Sequence, residues 1–166
     1  MPAKKPNASD RRFWLFKSEP NVYSIHDLAK EERRTTFWDG VRNYQARNSL
    51  RDSIQVGDGV LFYHSSVEPM AIVGTANVVR AGYPDHTAFD PKSCHFDPGS
   101  EADQPTWFMV DIQLDTIFQR PLWRATLESC PELKKMVLLQ RGSRLSIQPV
   151  TASEWNAVLR LAKESR

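Results

Sequence analysis

The sequence predicts an α+β domain built on a curved, barrel-like sheet with helices packed around it. Three observations carry this. Val60-Leu61-Phe62-Tyr63-His64 is an apolar run with no polar face, which fits a strand buried on both sides or set in a closed barrel. Gly74, inside a second strand-like run, marks a bend or bulge in the sheet. Strands and short helices follow one another irregularly, without the βαβ alternation of a doubly wound sheet. The 166 residues are 40% hydrophobic and 25% charged, close to globular averages, so one domain with a real core is expected and wholesale disorder is excluded.

Residues 1–12 are polar, basic and Pro-containing and read as a disordered tail, leaving 13–166 as a single domain. Phe13–Lys17 is a strand by aromatic content, stopped at Ser18-Glu19-Pro20. Ser24 and Asp27 have the spacing of a capping box, with Tyr23 and Leu28 as its hydrophobic staple, so a helix is expected over about 25–31. Thr35–Phe37 is extended, a second helix is expected over 43–51, and Gly57-Asp58-Gly59 is a turn. The strand 60–64 is followed by another over 71–79. Residues 81–105, rich in Pro, Asp, Gly and Ser, read as a long irregular loop of the functional kind. Thr106–Phe118 alternates as a half-buried strand, and 121–135 as short helices interrupted at Pro131. Residues 144–149 form a short strand. Thr151 to Glu154 is a second capping box, opening a helix whose buried stripe is Trp155, Val158, Leu159 and Ala162.

The densest chemistry lies in Trp38-Asp39-Gly40-Val41-Arg42-Asn43-Tyr44-Gln45-Ala46-Arg47-Asn48. Aromatics offer faces, amides offer paired donors and acceptors, and Arg offers a planar fork for base edges or phosphate. Such an inventory suits a flat polar ring. Tyr63 and His64 end one strand and Lys17, Ser18 and Glu19 another, where a barrel mouth would open. Glu19 has the chemistry to accept from a base amino group, and Arg144 and Ser146 to reach phosphate. The plain alternative for each is a core aromatic, a solvated strand end or a basic turn. No phosphate-binding Gly-rich loop, nucleophile elbow or HExxH helix is present, so neither a catalytic residue nor a cofactor is expected. His86, Asp90, Cys94 and His95 match no standard zinc spacing, and no metal is expected. Cys94 and Cys130 read as reduced thiols of an intracellular protein. No apolar run spans a bilayer and the N-terminus lacks an apolar signal core, which points to the cytoplasm, or to the nucleus in a eukaryote. The net charge of +2 does not by itself demand a nucleic-acid partner.

Five segments resemble the EVE domain family in content and order: Trp14–Pro20, Trp38–Asn48, Phe62–Ser65, Ala88–Ser93 and Arg144–Pro149. The resemblance implies a PUA-like curved β-barrel with flanking helices. It also implies a module that reads a modified nucleobase, flipped or unpaired, in DNA or RNA. The implied pocket falls on Ser18, Glu19, Trp38, Asp39, Gly40, Val41, Arg42, Asn43, Tyr44, Tyr63, His64 and Ser146, with Lys17, Arg47 and Arg144 toward the backbone. On this reading Trp38 or Tyr63 stacks on the base. Asn43, Ser18 and Glu19 read its edge, and Arg42, Arg47 and Arg144 hold phosphate. The chain is expected to act as a monomer, to bind modified DNA or RNA, and to need no membrane and no cofactor. The rival class is an enzyme acting on a modified nucleobase or nucleotide, with Glu19 or His64 as acid–base. A third reading is a protein-interaction module with a vestigial pocket.

Overall fold

The computed structural model describes residues 10–164. Its framework is one mixed sheet of six strands: β1 (Phe13–Ser18), β2 (Thr35–Phe37), β3 (Gly59–His64), β4 (Ala71–Pro84), β5 (Phe108–Trp123) and β6 (Ile147–Val150). The spatial order is β2-β5-β4-β3-β1-β6. β1 runs parallel to β3, and every other neighbour pair is antiparallel. The pairings leave β2 and β6 as edges, so among the described residues the sheet is open, whereas a barrel was expected. The short edge strands limit the unpaired backbone that an open sheet exposes.

Side-chain alternation distributes the strands between two cores. On one face lie Trp14 and Phe16 of β1, Val60 and Phe62 of β3, and Val110 and Ile112 of β5. On the other lie Leu15, Leu61, Tyr63 and Ile72. The apolar run of β3 is therefore buried on both sides, as the sequence predicts.

Helices cover both faces. α1 (Ile25–Lys30) sends Ile25 and Leu28 into the first core, and the Ser24–Asp27 capping box satisfies its first turn. α2 (Tyr44–Asn48) is capped by Asn43 and continues as a π-helical turn, Ser49–Ser53. α3 (Arg124–Glu128) follows β5 directly. α4 (Ala152–Glu164) closes the second core with Trp155, Ala157 and Val158. Thr151 and Glu154 exchange hydrogen bonds at its start, and Trp155 stacks on Phe13 at 4.5 Å.

The boundaries depart furthest from the sequence reading in β4, in β5 and at the N-terminus. β4 runs on to Pro84 and β5 to Trp123, because the two strands pair across several bulges that absorb Pro121 and the polar positions. Most of the expected tail lies outside the described residues, but Arg11 and Arg12 are fastened. Arg11 donates to the Gly57 carbonyl and to Asn77, and the Arg12 N–H donates to Asp58. Buried Asp58 also accepts from Trp14 Nε1 at 2.9 Å and so ties the start of β1 to the 57–59 turn.

Candidate functional site

A cavity of about 720 Å³ opens beside the first core. The end of β1 supplies Lys17 and Ser18, and the turn after it Glu19, Val22 and Tyr23. Glu31 follows α1, and β2 leads Thr35, Thr36 and Phe37 into Trp38, Asp39 and Val41. β5 adds Asp111, the approach to β6 adds Ser146, and the long loop adds His95.

Trp38 is only 9% exposed and is wedged between Phe16, Tyr23 and Phe62, with ring centroids 5.3–6.4 Å away. It makes a fixed apolar wall rather than a free plate. Ser18 Oγ donates to the Tyr23 carbonyl at 2.6 Å, and the Tyr23 hydroxyl donates to Glu31 at 3.0 Å. Burial, with the Glu31 carboxylate adding to it, pushes the Tyr23 phenol up to about 12. The charge balance of the wall is acidic: Glu19, Glu31, Asp39 and Asp111 stand against Lys17. The Lys17 ammonium itself turns to the Ser143 carbonyl at 3.4 Å, and burial followed by repulsion from Arg124 lowers its pKa. Such a wall repels phosphate and accepts hydrogen bonds from amino groups.

Of the residues singled out in the sequence, Lys17, Ser18, Glu19, Trp38, Asp39, Val41 and Ser146 converge on this cavity. The others sit elsewhere. Tyr63 points to the opposite sheet face and is buried in the second core, so it offers no stacking face to the cavity. His64 Nε2 accepts from the Ile25 N–H at 3.1 Å and so joins β3 to the start of α1. Burial, with His26 in support and Asp27 opposing, lowers the His64 pKa. Asn43 spends its side-chain oxygen capping α2 at the Ala46 N–H. Tyr44 is exposed and stacks on Trp107, with Arg47 over its outer side; Arg47 also donates to the Thr106 carbonyl. Arg144 is exposed on the loop before β6.

Arg42 and Gly40 have structural work that the sequence did not disclose. Arg42 donates twice to the His95 carbonyl, at 2.6 and 3.2 Å, and pairs with buried Asp85 at 3.0 Å. Asp85 also accepts from the Gly40 N–H and from Thr87. Burial pushes the Asp85 carboxyl up, but the hydrogen bonds from Thr87, Gly40 and Arg42 outweigh it and hold the pKa below the ordinary value. Gly40 has φ +78°, and a Cβ there would meet the His95 ring at 2.6 Å. These residues pin the 85–107 loop against the central motif.

The cavity residues that the sequence reading missed are Val22, Tyr23, Glu31, Thr35, Thr36, Phe37, His95 and Asp111. Asp111 faces β2 because Phe37 pairs with it in the sheet, a contact without local signature. His86 packs edge-on to Phe37 while His95 lies against Gly40. Among the described residues no group of three or more His, Cys, Asp or Glu is placed to hold a metal. No described helix is long and apolar enough to cross a membrane.

The arrangement defines a small α+β domain with an aromatic and acidic cavity at one end of a mixed sheet. The model of the EVE domain matches residues 12–161, and the chain belongs to that family. It is 42% identical to human thymocyte nuclear protein 1 over 91% of this chain and 74% of the relative. A solved hypothetical protein from Leishmania major superposes with a TM-score of 0.89 at 46% identity, covering 96% of this chain and 99% of the other. The crystal structure of human THYN1 in complex with 5-methylcytosine-containing DNA superposes with a TM-score of 0.85 at 43% identity, covering 92% and 98%.

Proposed function

We propose that this protein is a nucleic-acid-binding module that takes one modified base, flipped or unpaired, into the cavity beside Trp38. The observation that carries the reading is the make-up of that cavity: a fixed aromatic and aliphatic wall facing four carboxylates. Cytosine presents an amino donor on one edge, which a carboxylate accepts, and a methyl on C5 needs an apolar wall. Trp38 and Val41 supply such a wall, and Glu19, Asp39 and Asp111 are the acceptors. The acidic lining excludes phosphate, so backbone contacts belong to the rim. Support comes also from the relative solved with 5-methylcytosine DNA.

Extruding a base from a duplex costs a few kcal/mol, less for a weakened pair. Aromatic contact returns roughly 1–3 kcal/mol per base, and hydrogen bonds to the edge supply the rest. Burying one methyl contributes about 0.8 kcal/mol, which is roughly a fourfold preference over the unmodified base. The reading is of a monomeric binder rather than an enzyme; of the two groups considered for acid–base work, His64 has its lone pair held by the Ile25 N–H. A curved, PUA-like geometry of the sheet and a nuclear or cytoplasmic location, where nucleic acid is met, go with the same reading.

The test is fluorescence anisotropy with matched DNA and RNA oligonucleotides carrying one 5-methylcytosine or one cytosine, followed by mass analysis of the recovered nucleosides. The expected outcome is a preference of about threefold or more for the methylated strand, with the base unchanged. Equal affinity for every pair, or conversion of the base, would overturn it.

A further inference from the structure

The geometry points to His95, carried by the 85–107 loop, as a residue that hydrogen-bonds the edge of the base held in the cavity. This rests on the reading above and adds to it a residue outside the sheet and the central motif.

His95 lines the cavity, half-buried, together with Trp38, Asp39 and Asp111. Its ring lies so close to Gly40 that a Cβ there would come within 2.8 Å of Cε1 and both ring nitrogens. Its backbone is held at both ends: the carbonyl takes two hydrogen bonds from Arg42, and the N–H donates to Ser93 Oγ at 3.1 Å. Arg42 is fixed in turn by buried Asp85. The ring nitrogens make no hydrogen bond among the described residues. A side chain so firmly positioned, with a donor and an acceptor unspent, is suited to a ligand rather than to the fold. Four carboxylates can only accept when ionised, whereas the imidazole both donates and accepts. A base edge alternates donors and acceptors, so the carboxylates leave the ring nitrogen and carbonyl of cytosine unmatched, and several other donors of the lining, on Lys17, Ser18, Tyr23, Thr35 and Thr36, are already given to the fold. His95 adds a donor beside the Ser146 hydroxyl and the Trp38 indole. The motif Gly40–Arg42 thereby acquires a purpose: Gly40 makes room for the ring and Arg42 holds its backbone.

The experiment compares wild type with His95→Phe, His95→Gln and His95→Ala. The probes are three single-stranded DNA oligonucleotides, with 5-methylcytosine, with cytosine and with an abasic position at the same site. Phe keeps a flat ring against Gly40 without nitrogens, and Gln keeps a donor and an acceptor without the ring. The expected result is that Phe and Ala weaken binding of both base-containing strands about tenfold, that Gln restores part of it, and that the abasic strand is unaffected. Full rescue by Phe would mean that the ring only packs, and equal weakening on the abasic strand would mean that it touches backbone; either result overturns the assignment. If wild type binds none of the strands, the nucleobase reading itself fails and the assignment falls with it. Melting temperatures of all variants are read alongside, so that a folding defect is not mistaken for a lost contact.

Discussion

Gly40 is the residue on which the loop and the central motif depend most directly. Its φ of +78° is left-handed, and the space that a Cβ needs is filled by the His95 imidazole. Left-handed backbone costs a non-glycine residue roughly 1–2 kcal/mol before any clash is counted. Gly40→Ala is therefore expected to lose about 1–3 kcal/mol of stability and to displace His95, measured by urea unfolding and by the imidazole proton shifts. A variant of wild-type stability with an unmoved His95 would show that the contact is soft. His64 yields a second expectation at this scale. Its Nε2 accepts a backbone hydrogen bond, which only the neutral ring can do, and its folded pKa is lowered. The unfolded chain then binds the proton more readily. The stabilisation is complete above the ordinary histidine value of about 6.5 and is lost as pH falls through the lowered folded value. Urea midpoints between pH 8 and 5 should drop less steeply for His64→Gln than for wild type; parallel curves would remove His64 from the account. For the neighbouring Tyr63, no residue pattern decides the face. A strand apolar on both sides carries no phase, and the neighbour pair Phe62 and Tyr63 divides between two cores.

Among the elements, those specified by neighbouring residues were legible. Both capping boxes, Ser24 with Asp27 and Thr151 with Glu154, open helices where their spacing says, because the bonds involved join residues three apart. The cavity was legible only where a single segment supplies it, as at 17–19 and 38–41. Asp111, Thr35 and Phe37 enter through the pairing of β2 with β5, and His95 through the fastening of a distant loop. Neither leaves a local pattern. That fastening can be tested. Arg42→Ala leaves the buried Asp85 carboxylate with only Gly40 and Thr87 as donors. A cost of about 1–3 kcal/mol is expected, concentrated in the loop. Hydrogen exchange should quicken at the amides of Asp85, Ala88 and Asp97, which bond within the loop and its base, while β3 and β4 stay protected. Uniform acceleration across the sheet would instead make Arg42 a global support.

For the molecule as a whole, charge is arranged rather than abundant. The net charge is only +2, and the cavity wall is acidic. Arg42 and Arg47, which the motif suggested for phosphate, are occupied within the fold. What remains near the mouth are exposed guanidinium groups with no ion pair among the described residues. Arg33 and Arg34 lie in a left-handed turn between the cavity residues Glu31 and Thr35, and Arg144 lies two residues before Ser146. Two or three phosphates can be neutralised by such a rim. Each contributes a slope of about −0.9 in log K against log salt on duplex DNA, so a total of roughly −2 to −3 is expected. Arg144→Ala should weaken methylated and unmethylated strands alike and flatten the slope by about 1, because a phosphate contact carries no base information. The double change at Arg33 and Arg34 should do the same. Anisotropy titrations over a salt series read both quantities for each variant. If the slope of wild type is far steeper, a larger basic surface is at work. If loss of Arg144 alters the ratio of methylated to unmethylated affinity, that arginine reaches the base, and the division between an acidic cavity that selects and a basic rim that holds has to be redrawn.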